Sequence, residues 1–244
     1  MNNNYNIIKL DQVESTNDFA KEIINSKIID DFTIVYTDNQ TKGKGQRGNL
    51  WKSKAYKNLT FSLIIKPNIK VEKQSYISKI VSLALLDYFD NISDYASIKW
   101  PNDIYINNKK IAGILIENII QSNKLNYSII GIGININQTK FDDDLPNPIS
   151  LKQITKQDYN LENILNEIIY KLKDFFTLKD NYKLIDNLYN KRLYGLKTQM
   201  EFIDNKGLHF KAEILGTDEL GKLKLKTANK TTFYSFNEIK TVTV

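Results

Sequence analysis

The 244 residues contain no cysteine and a single histidine, His209. Without cysteine there can be no disulfides, thiolate nucleophiles or cysteine-ligated zinc or iron–sulfur centres. One histidine excludes a multi-histidine metal site and leaves almost no room for a histidine-based triad. Arginine is nearly missing too: Arg47 and Arg192 are the only two among 34 basic residues. No run of about 18 apolar residues occurs, so no membrane-spanning helix is expected. The amino terminus, MNNNYNIIKLD, has neither the basic flank nor the apolar stretch of a secretion signal. A cytoplasmic protein is the expectation.

What is present describes a folded chain: 41% hydrophobic and 25% charged residues, enough to bury a core as one domain or as a large and a small one. The net charge of +6 fits an anionic partner, but it also fits compositional drift in a chain rich in Lys, Asn and Ile. Helix and strand alternate. Ile7 to Leu10 reads as a short strand, and STND at 15–18 offers helix caps before Phe19, Ala20, Ile23 and Ile24. TIVYTD at 33–38 and NLTFSLIIK at 58–66 read as strands, and residues 72–90 as a core-facing helix. Antiparallel hairpins are expected over 97–136, then a second helix over 161–178. From about Gly195 short strands and turn residues follow one another, the texture of a small β-barrel. The expected fold class is α+β, with domains over 1–192 and 193–244.

Three stretches could carry chemistry. In TKGKGQRGNLW (41–51), Gly43, Gly45 and Gly48 let the backbone wrap a ligand, Lys44 and Arg47 add positive charge, and Trp51 offers a flat stacking face. The spacing is not that of a P-loop, and an ordinary surface loop reads equally well. In KWPNDIYINNKKIAGILIEN (99–118), Pro101 breaks a strand, so Asn102 and Asp103 either face a ligand or satisfy a turn. Lys110 opens the apolar strand IAGIL, and Gly113 within it suggests a close approach to the backbone. GIGININ (131–137) puts Asn135 and Asn137 on one face of a strand that is either plain core or a ligand edge.

Taken together, STN at 15–17, Gln40, GKGQRGNLW at 43–51, KWPND at 99–103, KIAGIL at 110–115 and GIGIN at 131–135 resemble a biotin protein ligase of the biotin–[acetyl-CoA-carboxylase] ligase type. The resemblance covers nearly the whole chain. It implies a mixed-sheet, class II-synthetase-like catalytic domain followed by an SH3-like barrel. It also implies the monofunctional type, because the pattern begins near residue 5 and leaves no room for an amino-terminal DNA-binding module. The implied activity is AMP-forming: biotin and MgATP give biotinyl-5′-AMP and pyrophosphate, and biotin then passes to one lysine of a carrier domain. By resemblance, Lys110, Asp103 and Lys44 are catalytic, with Asp103 also facing Mg2+. Ser15, Thr16, Asn17, Gln40, Gly43, Lys44, Gly45, Gln46, Lys110 and Gly113 take biotin. Arg47, Trp51, Lys99, Asn102 and Asn135 take the nucleotide. The implied partners are biotin, ATP and the biotin carboxyl carrier domain of acetyl-CoA carboxylase, with no DNA and no membrane; a homodimer is left open.

The rival readings are a lipoate–protein ligase of the same superfamily and a non-catalytic protein that binds biotin or nucleic acid. KWPND with KIAGIL favours biotin, and KLKLKTANKTTFYSF at 222–236 carries only a faint basic–aromatic pattern. The chain departs from the family where Gly-Arg-Gly-Arg is usual and Gly-Lys-Gly-Gln stands instead. Lys44 keeps the charge without the bidentate fork. Gln46 loses a charge that helps retain the acyl-adenylate, and the expected consequence is faster escape of biotinyl-AMP. Gln46→Arg should therefore slow adenylate release in a single-turnover chase; unchanged or faster release contradicts this.

Overall fold

The computed structural model describes residues 5–242. In chain order these form β1 (Asn6–Leu10), α1 (Thr16–Ser26), β2 (Thr33–Thr37), β3 (Gly43–Lys44), β4 (Leu50–Trp51), β5 (Leu59–Ile65), α2 (Ser75–Phe89), β6 (Ala96–Lys99) and β7 (Asp103–Ile106). Then follow β8 (Lys109–Gln121), β9 (Lys124–Ile134), α3 (Leu151–Thr155), α4 (Leu161–Phe176), α5 (Tyr182–Lys191) and the strands β10 (Gln199–Asp204), β11 (His209–Thr217), β12 (Leu223–Lys226), β13 (Thr231–Tyr234) and β14 (Ile239–Thr241). The class is α+β, as expected. By compactness the chain divides into two units, each discontinuous in sequence. The first takes the described residues up to Val71 together with Ile106–Tyr170, and the second takes Glu72–Tyr105 and the described residues from Lys171 onward.

The first unit is built on a mixed sheet in the order β1-β2-β5-β9-β8. β1 runs parallel to β2, while β2/β5, β5/β9 and β9/β8 are antiparallel. β5 is buried at every position, the signature of a central strand, and its apolar run explains why. Its register with β2 and β9 sets two faces. Phe61 and Leu63 lie opposite Ile132 and Ile130 on one, and Thr60 and Ser62 lie opposite Gly133 and Gly131 on the other. At its far end this second face is apolar: Val35, Ile64 and Ile129 pack with Ala20 and Ile23 of α1. Each of the valine and isoleucine side chains contributes about 1.5–3 kcal/mol on burial.

Helix α1 starts where the sequence says. Ser15 is extended, with φ −148°, and its hydroxyl accepts the Asp18 N–H at 3.3 Å. That cap fixes the direction in which Thr16 and Asn17 enter the sheet face. The loop expected over 41–51 is instead a narrow ribbon, β3 against β4, joined by a 3-10 turn in which Arg47 is left-handed at φ 57°. β9 ends at Ile134, so Asn135 and Asn137 stand beyond the strand rather than alternating along it. The Asn137 side chain instead brackets the Tyr159 backbone, donating to its carbonyl at 2.8 Å and accepting its N–H at 2.9 Å.

In the second unit α2 is buried along most of its length and packs on α5. Lys79, 2% exposed, donates to Asp186 Oδ1 at 2.6 Å and to the Asp218 carbonyl at 3.0 Å, and Tyr76 OH donates to Asp186 Oδ2 at 2.6 Å. A buried ammonium is tolerable only when paired and hydrogen-bonded in this way. Arg192 forks onto Asp90 at 2.7 and 2.6 Å. The carboxyl-terminal strands form one antiparallel sheet, β13-β12-β11-β10-β14. Among the described residues no β13–β14 ladder closes it, so the expected barrel is seen as an open five-stranded sheet.

Candidate functional site

The polar face of the first unit's sheet holds a row of small residues. Thr37 pairs with Thr60, Thr60 with Gly133, and Gly133 with Gly113, so four strands place two threonines and two glycines side by side. Over the glycines lies the Trp51 indole, delivered by β4 opposite Gly43. A Cβ on Gly133 would fall 2.3 Å from Trp51 Cε2, and one on Gly113 would fall 3.1 Å from Trp51 Cζ3. The ring can rest there only because both positions are glycine. Its Nε1 is buried and has no hydrogen-bond partner among the described residues. An orphaned buried donor costs on the order of 1–3 kcal/mol, which marks this one as waiting for an acceptor.

Lys110 brings a cation to the same place. Its Nζ lies 5.6 Å from the centroid of the Trp51 ring and 3.4 Å from where a Gly113 Cβ would stand. Its backbone is held from outside the sheet, the N–H donating to Asn147 and the carbonyl accepting from Ile149. Asn135, 4% exposed, donates to the Lys110 carbonyl at 3.4 Å, and its N–H reaches the Ile111 carbonyl at 2.9 Å.

A hydrogen-bonded cluster lies next to that row, where α1 begins. Gln40 Oε1 accepts from Thr16 N–H at 2.8 Å and from Thr16 Oγ1 at 3.1 Å, which leaves its amino end for something else. The Asn17 amide is engaged within the protein: Nδ2 donates to Glu117 Oε2 at 2.7 Å and to the Leu115 carbonyl at 3.4 Å, and Oδ1 accepts from Ser62 at 2.6 Å. Asn17 thus supports the site from behind. Sequence reasoning missed Ser62 and Glu117; a serine inside the otherwise apolar NLTFSLIIK was the available signal.

Lys44 is turned elsewhere, forming an ion pair with Asp18 at 2.6 Å. That carboxylate holds the Lys44 ammonium above the ordinary lysine range, and Glu117 adds a weaker pull in the same sense. Lys42 pairs likewise with Glu14 at 2.7 Å, so the ribbon is tied to the segment that leads into α1. Gly45 N–H donates to the Asn49 carbonyl at 2.7 Å, and the Gln46 carbonyl accepts from Asn49 N–H at 3.1 Å. Beside the ribbon a cavity of about 470 Å3 opens, lined among others by Gln40, Gly43, Trp51, Lys52 and Gln138.

The second unit carries the remaining expected residues. β6 ends at Lys99, a cis Trp100–Pro101 bond follows, and Asn102 precedes the first residue of β7, Asp103. The expected break at Pro101 is therefore there. Lys99 Nζ donates to Tyr105 OH at 2.9 Å and sits 4.9 Å from the centroid of that ring. Burial, helped by the Asp103 charge, pushes the Tyr105 phenol up, so it stays protonated.

Comparison with known proteins agrees with this architecture. The sequence profile of the biotin/lipoate A/B protein ligase family matches residues 10–135. The bifunctional ligase/repressor BirA of Bacillus spizizenii is 30% identical over 231 residues, covering 91% of this chain and 69% of its own. BirA of Bacillus subtilis is 31% identical over 229 residues with the same two coverages, 91% and 69%. A solved structure, biotin protein ligase from Aquifex aeolicus in complex with biotin and ATP, superposes with a TM-score of 0.81 at 25% identity, covering 98% of this chain and 99% of that one.

If Trp51 rests on the glycine row, Gly133→Ala must lift it. In a Trp100→Phe background, where Trp51 is the sole indole, the emission should shift to the red. The overpacking should also cost about 1–3 kcal/mol of stability. An unchanged spectrum contradicts the stacking.

Proposed function

This chain belongs to the biotin/lipoate A/B protein ligase family, and we propose that it is an ATP-dependent biotin ligase, joining biotin through an adenylate to a lysine of a biotin carboxyl carrier domain. The observation that carries this reading is the grouping of Lys110, the glycine row under Trp51 and the polar cluster at the start of α1 on one sheet face.

The reaction's demands match those groups. A carboxylate is already ionised at neutral pH, so adenylation needs no strong base. It needs the carboxylate held in line with the α-phosphate, and cations that offset their repulsion. Lys110 is the fixed cation, and Lys44 joins it by exchanging Asp18 for substrate. Ser15, Thr16 and Gln40 take the ureido head, and Asn17 holds them in place. Biotin's rings lie near Gly113, beside the Trp51 ring and Lys110, with Gly43, Gly45 and Gln46 closing over them. Trp51 offers the outer face of its ring to the nucleotide, beside Asn135 and Arg47. Lys99, Asn102 and Asp103 are assigned to the phosphates.

Magnesium would enter with ATP. Among the described residues no three His, Asp or Glu side chains group to hold a metal, and an ion bound mainly by substrate phosphates needs no such group. Asp103 is the carboxylate assigned to it, and bound there the ion would supply further neutralisation of phosphate charge. In the second half-reaction the carrier lysine must lose a proton before attack, and Asp103 is the group we assign to assist. The catalytic domain is taken as residues 1–192 and the small domain as 193–244.

The test is biotin-dependent exchange of labelled pyrophosphate into ATP, with Lys110→Ala alongside. Wild type should exchange with biotin and not with lipoate. The variant should lose on the order of 10²–10³ in rate, the usual cost of one preorganised charge-stabilising donor. Exchange with lipoate alone, or a Lys110→Ala variant as fast as wild type, would overturn the assignment.

A further inference from the structure

We propose that Glu117 is a positioning residue that makes the Thr16 hydroxyl a hydrogen-bond acceptor toward the ligand head. It does so by fixing the direction of a chain running from its carboxylate through Asn17 and Ser62 to Thr16. The inference rests on the biotin reading and deepens it.

The chain can be followed from its charged end. Glu117 Oε2 lies 2.7 Å from Asn17 Nδ2. A carboxylate accepts and does not donate, so Asn17 must present its amino end to it. The second neighbour of that nitrogen, the Leu115 carbonyl at 3.4 Å, is also an acceptor and imposes the same choice. The Asn17 oxygen is thereby aimed at Ser62 Oγ, 2.6 Å away, and only a proton from Ser62 can fill that contact. A Cβ on Gly131 would stand 2.4 Å from Asn17 Oδ1, so that oxygen occupies space available only above a glycine.

Ser62 is fully buried and has one proton, which Asn17 now takes. The Ser62 and Thr16 hydroxyls lie 2.8 Å apart, and Thr16 Oγ1 is also 3.1 Å from Gln40 Oε1. Whichever of these receives the Thr16 proton, that proton points into the protein. Thr16 is left with a lone pair for the ligand and no proton to give it. Such a site suits a head group bearing an N–H, as the cyclic urea of biotin does. It does not suit the dithiolane ring of lipoate, which has no N–H. The negative charge on Glu117 matters because hydrogen bonds to an ion are roughly twice as strong as neutral ones, and they set the polarity of the links that follow.

The experiment is pyrophosphate exchange with biotin and ATP varied separately, using wild type, Glu117→Met and Glu117→Gln, with thermal melts of each. Methionine keeps the length and removes the acceptor; glutamine keeps an acceptor oxygen. Glu117→Met should raise the KM for biotin about ten- to a hundredfold, with kcat and the KM for ATP within about twofold of wild type. Glu117→Gln, which keeps an acceptor oxygen but not the charge, should fall between Glu117→Met and wild type. A Glu117→Met enzyme with the wild-type KM for biotin, or one in which both KM values rise together, overturns the positioning role alone. Wild type that exchanges without biotin overturns the functional reading, and this inference with it.

Discussion

The pairing of Gly113 with Gly133 is the constraint on which the rest of the site depends. A sheet normally covers both faces with side chains, and a row without them across adjacent strands is a gap in that cover. Here Thr60 and Thr37 continue the row in register, and the Trp51 ring lies over the two glycines. Slipping the register by one residue would turn Ile114 and Ile132 to this face and remove the gap entirely. The pairing of β5 with both β2 and β9 holds the register, setting Phe61 and Leu63 opposite Ile132 and Ile130. Stability of the sheet and the existence of the site thus rest on the same alternation.

Charge is arranged around that floor with little arginine available. Lys110 stands near the start of β8, where its backbone is held by Asn147 and Ile149. Lys44 sits on a two-residue strand and is held by Asp18 across a solvent-exposed ion pair. Exposed pairs of this kind are worth little and exchange readily, which suits a cation that must leave one carboxylate for another. The negative groups near the start of α1 therefore have separate tasks: Asp18 holds Lys44, and Glu117 orders the chain of hydrogen bonds behind Thr16.

Much of this was legible in the residues. The STND cap, the apolar strand at 58–66, the long helix over 72–90 and the break at Pro101 each follow from local chemistry, and each is found. Two helices were not read. α3 has five residues, too few for an apolar period, and is started by a capping box between Ser150 and Gln153. α5 is short and polar, with Ile185 and Tyr189 as its buried anchors. The loop at 41–51 pairs with itself as β3 and β4, which its glycines did not suggest. Within the site, single residues could be nominated from motifs, but not their partners. That Asn17 faces Glu117, or that Trp51 lies across both Gly113 and Gly133, depends on contacts between elements far apart in sequence. No local pattern contains them.

The most direct measurement is the intact mass of a biotin carboxyl carrier domain after incubation with this protein, biotin and MgATP. The account expects a gain of one biotinyl group on a single lysine, dependent on both small molecules. A carrier of unchanged mass, or one that gains a lipoyl group in preference when both acids are offered, would contradict it.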